Sequence, residues 1–260
     1  MKPIKLLTIS VMAILLSGCL NEKNVSYTTM DNYFQNTTQI ITGINGCYNP
    51  LRTIIQRRDF WEMTDVATDL LYMSGSTVYN ANCDVSPARP GCAAPVWQYG
   101  YTGVKNTNDM TYAIDAAVKN GYITKEEAAP LHAETAVLRA LYYYILTCTF
   151  GDVPFYTTPV ETAQDQDKVA RLPRMSAVAT RAYIVDELLD LLPKDGVAQK
   201  RTYDNPESSD YRMGAAFGWM VCAKLAMWNG CQDKANSQDW YTKAMTALEH
   251  LETIYGDLMQ

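Results

Sequence analysis

Aromatic and acidic side chains are concentrated in the stretch between residues 60 and 105. A glycan binds a protein when the C–H-rich face of a sugar contacts a flat aromatic ring and polar side chains bond its hydroxyl groups. The candidates for such contacts are Asp69, Tyr79, Trp97, Tyr99 and Tyr101. They could form a glycan-binding site that performs no catalysis. The alternative is that Trp97 and Tyr101 pack this stretch onto neighbouring helices.

Residues that commonly perform catalysis or bind metals form no recognisable pattern. Glu134 and Arg139 lie five positions apart and do not share a helix face, so we interpret them as partners in structural ion pairs with other helices. The only histidines, His132 and His250, lack a Ser/Asp or Cys partner pattern, and we expect surface or core roles. Asp165-Gln-Asp167 resembles the start of a calcium loop, but the Gly and closing Glu positions are missing. Without hydrolase, zinc-protease or nucleotide-loop motifs, the sequence predicts no enzyme, no cofactor and no metal site.

The first 19 residues, MKPIKLLTISVMAILLSGC, predict a processing segment. Two lysines precede an apolar run that is too short for a permanent membrane span. Leu16-Ser17-Gly18-Cys19 matches the bacterial lipobox, in which the cysteine is lipidated; the alternative is an ordinary secretory signal. Acyl chains on Cys19 would anchor the protein, since each buried CH₂ contributes roughly 0.8 kcal/mol. No inner-membrane retention signal follows Cys19, so we expect the outer membrane of a Gram-negative cell.

The net charge bears on nucleic-acid binding, and the cysteine content bears on disulfide formation. The formal net charge of −6 argues against nucleic-acid binding, which requires a basic contact surface. Six of the seven cysteines follow Cys19, and an even number permits disulfides in an oxidising compartment. Cys83 and Cys92 bracket a loop with two prolines and a glycine, so we predict a disulfide between them. Cys148 and Cys222 fall within apolar helical patterns and are predicted to be buried thiols.

The order of the elements follows from apolar periodicity. Residues 20–36 are polar and predict a tether. Apolar residues then recur at three- and four-residue spacing from Ile40 to Ile55, which predicts a helix that kinks or ends at Pro50. Helical periodicity is lost over 60–105, where we expect a long irregular region, and it resumes near Asn106.

The rest of the chain also predicts helices. Predicted N-caps are Thr124 (in a capping box with Glu127), Ser176 and Ser237, and predicted helix ends are Asn120-Gly121, Asn229-Gly230 and Gly256. A kink is expected at Pro130. No alternating strand pattern occurs, so the sequence predicts an all-α protein of stacked helix pairs similar to tetratricopeptide solenoids.

Three consecutive tyrosines, Tyr142, Tyr143 and Tyr144, lie inside an apolar run. Consecutive helical positions differ by about 100°, so these rings sweep roughly 200° of the helix and cannot all face one ligand. A helix that is apolar on most sides is buried between its neighbours. We therefore predict that this cluster belongs to the core.

The same stretch resembles the SusD/RagB family. ETAVLRALYYY at 134–144, followed by FGDVP at 150–154, resembles the family's E-A-x-x-L-R-A-x-x-Y-F helix and its G-D-V-P-L turn. Further segments resemble the family in the same order: DNYFQNTTQIITGINGCYNPLR, NDMTYAIDAA, where the family usually carries an Asn before a helix, YIVDELLDLLP, and the Ala-rich YRMGAAFGWMVCAKLAMWNG with DWYTKAMTALEHL. The chain departs from the family at Thr135, where Ala is favoured, and at Phe155, where Leu is common.

This resemblance implies a surface-exposed outer-membrane lipoprotein that binds a glycan or other nutrient above a SusC-type TonB-dependent transporter. It implies helix pairs over residues 37–260, no catalytic activity, and ligand contacts in irregular loops, with Asp69 and Trp97 as the best matches. Family chains continue with a loop-rich C-terminal half. Since this sequence stops at Gln260, we expect a fragment, a truncated product or a short member. The alternative function is a helical-repeat lipoprotein, or truncated paralogue, that docks the transporter without binding glycan.

Overall fold

The protein is described by a computed structural model for residues 33–56, 68, 93–192 and 212–256. Within these residues the chain forms seven α-helices and one two-stranded sheet. The elements are α1 (Thr37–Gln56), α2 (Ala93–Lys119), α3 (Lys125–Phe150), β1 (Val153–Pro154), α4 (Ala163–Ala170), β2 (Arg174–Met175), α5 (Ala177–Leu191), α6 (Ala215–Gln232) and α7 (Ser237–Tyr255). The predicted all-α fold is confirmed.

Helix α3 is the centre of the packing. It contacts α1, α2, α5 and α6, and α6 contacts both α5 and α7. Short turns join α2 to α3 and α6 to α7, so these helices form consecutive pairs. The small sheet joins β1, directly after α3, to β2, directly before α5, with Val153 opposite Met175.

Several predicted helix ends are confirmed. Thr124 caps α3 in a capping box, since its hydroxyl accepts from the Glu127 amide (3.2 Å) and the Glu127 carboxylate accepts from its amide (2.8 Å). Ser176 caps α5 by accepting from the amide of Ala179 (3.2 Å). Gly121 and Gly256 follow α2 and α7 with φ of +73° and +76°, which favours glycine.

Other boundaries were predicted wrongly. Helix α6 continues two residues beyond Gly230, to Gln232. Asn236, not Ser237, occupies the N-cap position of α7, and the Ser237 hydroxyl donates to the carbonyl of Gly230 (2.8 Å). Helix α3 runs on through Pro130 as predicted, and the kink expected there stays a prediction. Asp165-Gln-Asp167, where the sequence lacked the full calcium-loop pattern, belongs to α4, and Asp165 completes a capping box with Thr162.

The largest correction concerns the region predicted to be irregular up to residue 105. Helix α2 begins at Ala93, so Trp97, Tyr99 and Tyr101 are helical. The glycines that suggested a loop are close-packing positions: a methyl group at Gly100 would lie 2.8 Å from Leu146, and one at Gly103 would lie 2.1 Å from the ring of Tyr142. Backbone that approaches large side chains this closely requires glycine even inside a helix.

The first helix continues through Pro50 because other helices supply the missing contacts. Proline has no N–H for the carbonyl four residues earlier, and Asn106 Nδ2 of α2 donates to that carbonyl, at Gly46 (3.4 Å). The hydroxyl of Tyr142 donates to the carbonyl of Cys47 (2.5 Å) and accepts from the amide of Leu51 (2.9 Å). These two groups are four residues apart, as helix-bond partners are, so Tyr142 bridges α1 next to the proline.

Two apolar clusters form the core. One lies among α1, the second half of α2 and the first half of α3; the larger lies among the end of α1 and helices α2, α3, α5, α6 and α7. Tyr142 and Tyr143 are fully buried, which confirms the core interpretation for two of the three tyrosines, and Tyr144 is half-buried. On α1, Ile54 is buried and Ile55, which was predicted to face the core, is exposed. Cys222 is buried as predicted, but Cys148 is exposed.

Candidate functional site

The aromatic residues predicted to bind glycan do not form one platform. Trp97 and Tyr101 are four residues apart on α2, so they share a face, and their ring centroids lie 4.8 Å apart. Tyr99 is two positions from each of them, about 200° around the helix, and faces another direction. All three side chains are half-buried.

Trp97 of α2 packs against the C-terminal end of α3, next to other aromatic and basic side chains. Its ring meets the edge of Phe150 at 4.9 Å and 88°, and the guanidinium of Arg174 lies over it at 5.6 Å. These contacts match the packing alternative, in which Trp97 attaches its own segment to helices. The accessible remainder of the ring is what a ligand could reach.

Tyr101 holds the turn that follows α3. Its hydroxyl donates to the carbonyl of Pro154 (2.8 Å), and its ring stacks on Tyr156 at 6.4 Å and 5°. Burial raises the pKa of Tyr101, which keeps the hydroxyl protonated as a donor. This residue too has a packing role.

The turn itself, GDVPFY at 151–156, is held by side chains from three helices. Gly151 ends α3 with φ of +69°, and the carboxylate of Asp152 accepts from the amide of Ala177 at the start of α5 (2.8 Å). The hydroxyl of Tyr143 accepts from the amide of Tyr156 and donates to its carbonyl, both at 3.0 Å. The motif that carried the family resemblance therefore has a structural role: it holds the turn after α3 against α3 itself and the start of α5.

A buried polar network connects this turn to the helices. Asn108, inside α2 and not before a helix as expected, donates to the carbonyl of Tyr156 (3.1 Å) and accepts from Arg139 (3.0 Å). Arg139 forms an ion pair with Glu187 of α5. The predicted structural ion pair of Arg139 is thus confirmed, whereas the role of Asn108 in this network was missed, because its partners Arg139 and Tyr156 are distant in sequence.

Glu134 forms the second predicted ion pair. Its carboxylate binds Arg212 Nε at 2.9 Å and accepts from the Tyr48 hydroxyl, and both charged side chains are buried. Arg212 also donates to Asn45, and the amide of Met213 donates to Tyr48 (2.8 Å). Burial, with the nearby Glu134, raises the pKa of Tyr48. This network attaches the segment before α6 to α1 and α3.

Each of the two histidines contacts a side chain of another helix. His132 Nε2 lies 3.2 Å from the exposed carboxylate of Asp115, and burial lowers the pKa of His132. His250 stacks on Trp219 at 4.4 Å. Among the described residues no three His, Cys, Asp or Glu side chains converge as metal ligands.

Several predicted residues lie outside the described residues. They are Cys19, Asp69, Tyr79, Cys83 and Cys92. The lipidation, the disulfide and the acidic part of the glycan site therefore stay predictions. Among the helices that the structure describes, none combines the length and the apolar character of a membrane span.

Similar folds occur among solved structures of proteins from Bacteroides species. A SusD homologue from Bacteroides thetaiotaomicron is 23% identical with a TM-score of 0.65, over 85% of this chain and 48% of that one. A SusD-like protein from Bacteroides fragilis is 17% identical with a TM-score of 0.65, over 88% and 40%. Surface glycan-binding protein A from Bacteroides uniformis is 20% identical with a TM-score of 0.60, over 82% and 45%.

The chain thus spans less than half the length of these proteins. No protein-family model matches the sequence, and a search of the curated proteins gave no match. The structural likeness confirms, at the level of the fold, the resemblance carried by residues 134–154. The chain has the all-α fold of the SusD-like proteins.

Proposed function

We propose that the protein is a surface lipoprotein that binds a glycan and delivers it to a SusC-type TonB-dependent transporter, without catalysing a reaction. The observation that carries this proposal is the shared fold with proteins named SusD homologues and surface glycan-binding protein A. The lipobox at Cys19 supports a membrane anchor on the outer membrane, facing the exterior.

The binding surface we propose is centred on the accessible part of Trp97. The predicted residues Asp69 and Tyr79 would contribute polar contacts, and Arg174 lies over the same ring (5.6 Å). An indole ring offers a large flat surface to a sugar, and a nearby guanidinium can donate to hydroxyl groups. Tyr99, on a different face of α2, would contact a separate part of the ligand.

Calorimetry with a panel of neutral and acidic oligosaccharides tests the proposal directly. The full chain, purified in detergent, is titrated with each glycan. At least one glycan is expected to bind, and Trp97→Phe should weaken that binding by roughly two- to tenfold, the range that an aromatic contact supplies. Trp240→Phe on α7 is the matched control and should leave affinity unchanged. A panel in which nothing binds would refute glycan binding by this chain.

A second candidate function is docking to the transporter without glycan binding. The specific observation in its favour is that Trp97 and Tyr101 are engaged in packing against Phe150 and the 151–156 turn. Affinity purification of the lipidated chain from outer membranes distinguishes the two. Recovery of a TonB-dependent transporter, together with no binding of any glycan in the panel, would favour the docking function.

A further inference from the structure

A second group of aromatic and basic side chains lies where α3, α5 and α6 meet. Tyr144 of α3 and Trp228 of α6 form an edge-to-face pair with centroids 6.2 Å apart. Lys224 Nζ lies 5.5 Å from the centre of the Tyr144 ring, and the guanidinium of Arg181 of α5 lies 4.3 Å from that of Trp228. Both rings are half-buried, and Lys224 is exposed.

The two cations of this group, Lys224 and Arg181, lie against the same pair of aromatic rings. Neither Lys224 nor Arg181 forms an ion pair with a described carboxylate. Lys243 offers the comparison: it also lies over an indole ring, that of Trp240 (4.6 Å), but it is paired with Asp186 (2.5 Å). Other described basic side chains, among them Lys119 and Lys234, also lack an ion pair with a described carboxylate, so what distinguishes Lys224 and Arg181 is that they lie together against one pair of aromatic rings.

Arg181 is held under the aromatic pair and is only partly satisfied. The Arg181 residue is 2% exposed, one guanidinium nitrogen donates to Asn229 (3.3 Å), and its Nε has no hydrogen-bond partner among the described residues. Burial lowers the pKa of Arg181, and the nearby Cys148 and Asp152 oppose that shift. The carboxylate of Asp152 is already bound to the amide of Ala177. No described carboxylate is therefore paired with Arg181, and its positive charge can attract an anion that approaches Trp228.

We propose that Tyr144, Trp228 and Lys224, supported by Arg181, form a subsite for an acidic sugar unit of a glycan. The C–H face of the sugar would contact the aromatic rings, and its carboxylate would bind Lys224 in the field of Arg181. This inference rests on the proposed glycan-binding function and adds the chemical class of ligand. In this proposal the acidic group of the ligand is bound at α3, α5 and α6, and not at the surface around Trp97.

Cys148 provides a reporter inside this subsite. It is exposed, it lies four residues after Tyr144 on α3, and its thiol is in the fields of both Arg181 and Lys224. A sugar bound against Tyr144 would cover it. Cys231, exposed at the end of α6 beside Tyr241 (3.6 Å), serves as the internal reference.

The binding test uses acidic tetrasaccharides and their methyl esters, which keep the sugar rings but remove the charge. The probes are tetragalacturonate, an alginate tetramer and a hyaluronan tetrasaccharide, titrated into the full chain in detergent. We expect at least one acidic form to bind more tightly than its ester. Lys224→Gln should weaken it by roughly three- to fivefold, as for an exposed charge, and Trp228→Leu by up to about tenfold. Lys243→Gln, the matched control, should change nothing.

The labelling test measures iodoacetamide alkylation of Cys148 and Cys231 by peptide mass spectrometry. The bound acidic tetrasaccharide should slow alkylation of Cys148 and leave that of Cys231 unchanged. This reading does not depend on the stability of the Trp228 variant, since it uses the unaltered chain.

Three results would overturn the subsite. They are equal affinity for an acid and its ester, unchanged affinity in Lys224→Gln, or unprotected Cys148 at saturation. If only neutral glycans bind, the subsite is wrong while the proposed function stands. If no glycan of either kind binds, both are wrong.

Discussion

Replacing Tyr142 by phenylalanine tests whether its hydroxyl is what lets α1 continue past Pro50. The variant keeps the ring and removes only the atom that bridges the carbonyl of Cys47 and the amide of Leu51. Both residues are buried, at 0% and 5% exposure, so water cannot replace the hydroxyl without rearrangement.

The magnitude follows from the number of groups that lose a partner. A buried polar group left without its hydrogen bond costs about 1–3 kcal/mol, so the loss of both bonds should lower the free energy of unfolding by about 2–6 kcal/mol, less if the helix relaxes to rejoin the pair directly. In a Pro50→Ala background the helix can straighten and the direct bond forms, so the cost should fall to about 1 kcal/mol or less. A coupling of more than about 1 kcal/mol is thus expected between Pro50 and Tyr142.

Urea unfolding of the four proteins of this cycle provides the measurement, with midpoint and slope compared. Tyr143→Phe is the matched control because Tyr143 also bridges a donor and an acceptor, on Tyr156, away from the proline. It should cost a similar amount in both backgrounds. The reasoning is refuted if Tyr142→Phe is neutral, or if its cost is the same with and without Pro50.

Three further perturbations have definite expected outcomes. Gly103→Ala places a methyl group 2.1 Å from the Tyr142 ring and should destabilise the fold by about 1–3 kcal/mol or more, measured by urea unfolding. Arg212→Gln leaves the buried Glu134 carboxylate without its cation and should cost about 3–5 kcal/mol in the same assay. Although the Cys148 residue as a whole is exposed, partial burial of its thiol raises the pKa of Cys148 to about 11, so its alkylation rate should increase about tenfold per pH unit until near that pH, measured by mass spectrometry.

Two of these perturbations have a control in the same chain. A methyl group at Gly46 would meet no atom within 4 Å, so Gly46→Ala should be neutral or stabilise α1 by up to about 1 kcal/mol. Arg171→Gln breaks an exposed pair with Asp167 and should change stability by less than about 1 kcal/mol. Equal losses in the buried and exposed arginine variants, or an alkylation plateau near pH 9, would contradict the reasoning.

The sequence predicted those features whose signals are local. The capping box of Thr124 and Glu127 depends on residues three positions apart, and the burial of Tyr142 and Tyr143 follows from apolar residues around one helix. Each of these predictions is confirmed by the structure because no distant residue is needed to make it. The all-α class followed in the same way.

The N-terminal part of α2 was predicted wrongly for a physical reason. Gly100 and Gly103 weaken helical propensity, so the segment resembled a loop. These glycines are required by the packing of α2 on α3, because Leu146 and Tyr142 of α3 occupy the space that side chains there would fill. Packing between helices therefore outweighs local propensity, and it cannot be read from the segment alone.

The candidate subsite carried no local signal either. Tyr144, Arg181 and Lys224 come from three helices, and only the packing of α3, α5 and α6 brings them together. Likewise, Glu134 and Arg212 are 78 positions apart.

The 151–156 turn has a consequence for what its motif can indicate. Asp152 accepts from the first amide of α5, the carbonyl of Pro154 accepts from Tyr101, and Tyr156 is bound by Tyr143, so each of these residues stabilises the fold. Each of these contacts joins two parts of the chain itself. Two chains can therefore share this short motif and still differ in the surfaces that contact a ligand, so the motif indicates the fold and not what a chain binds.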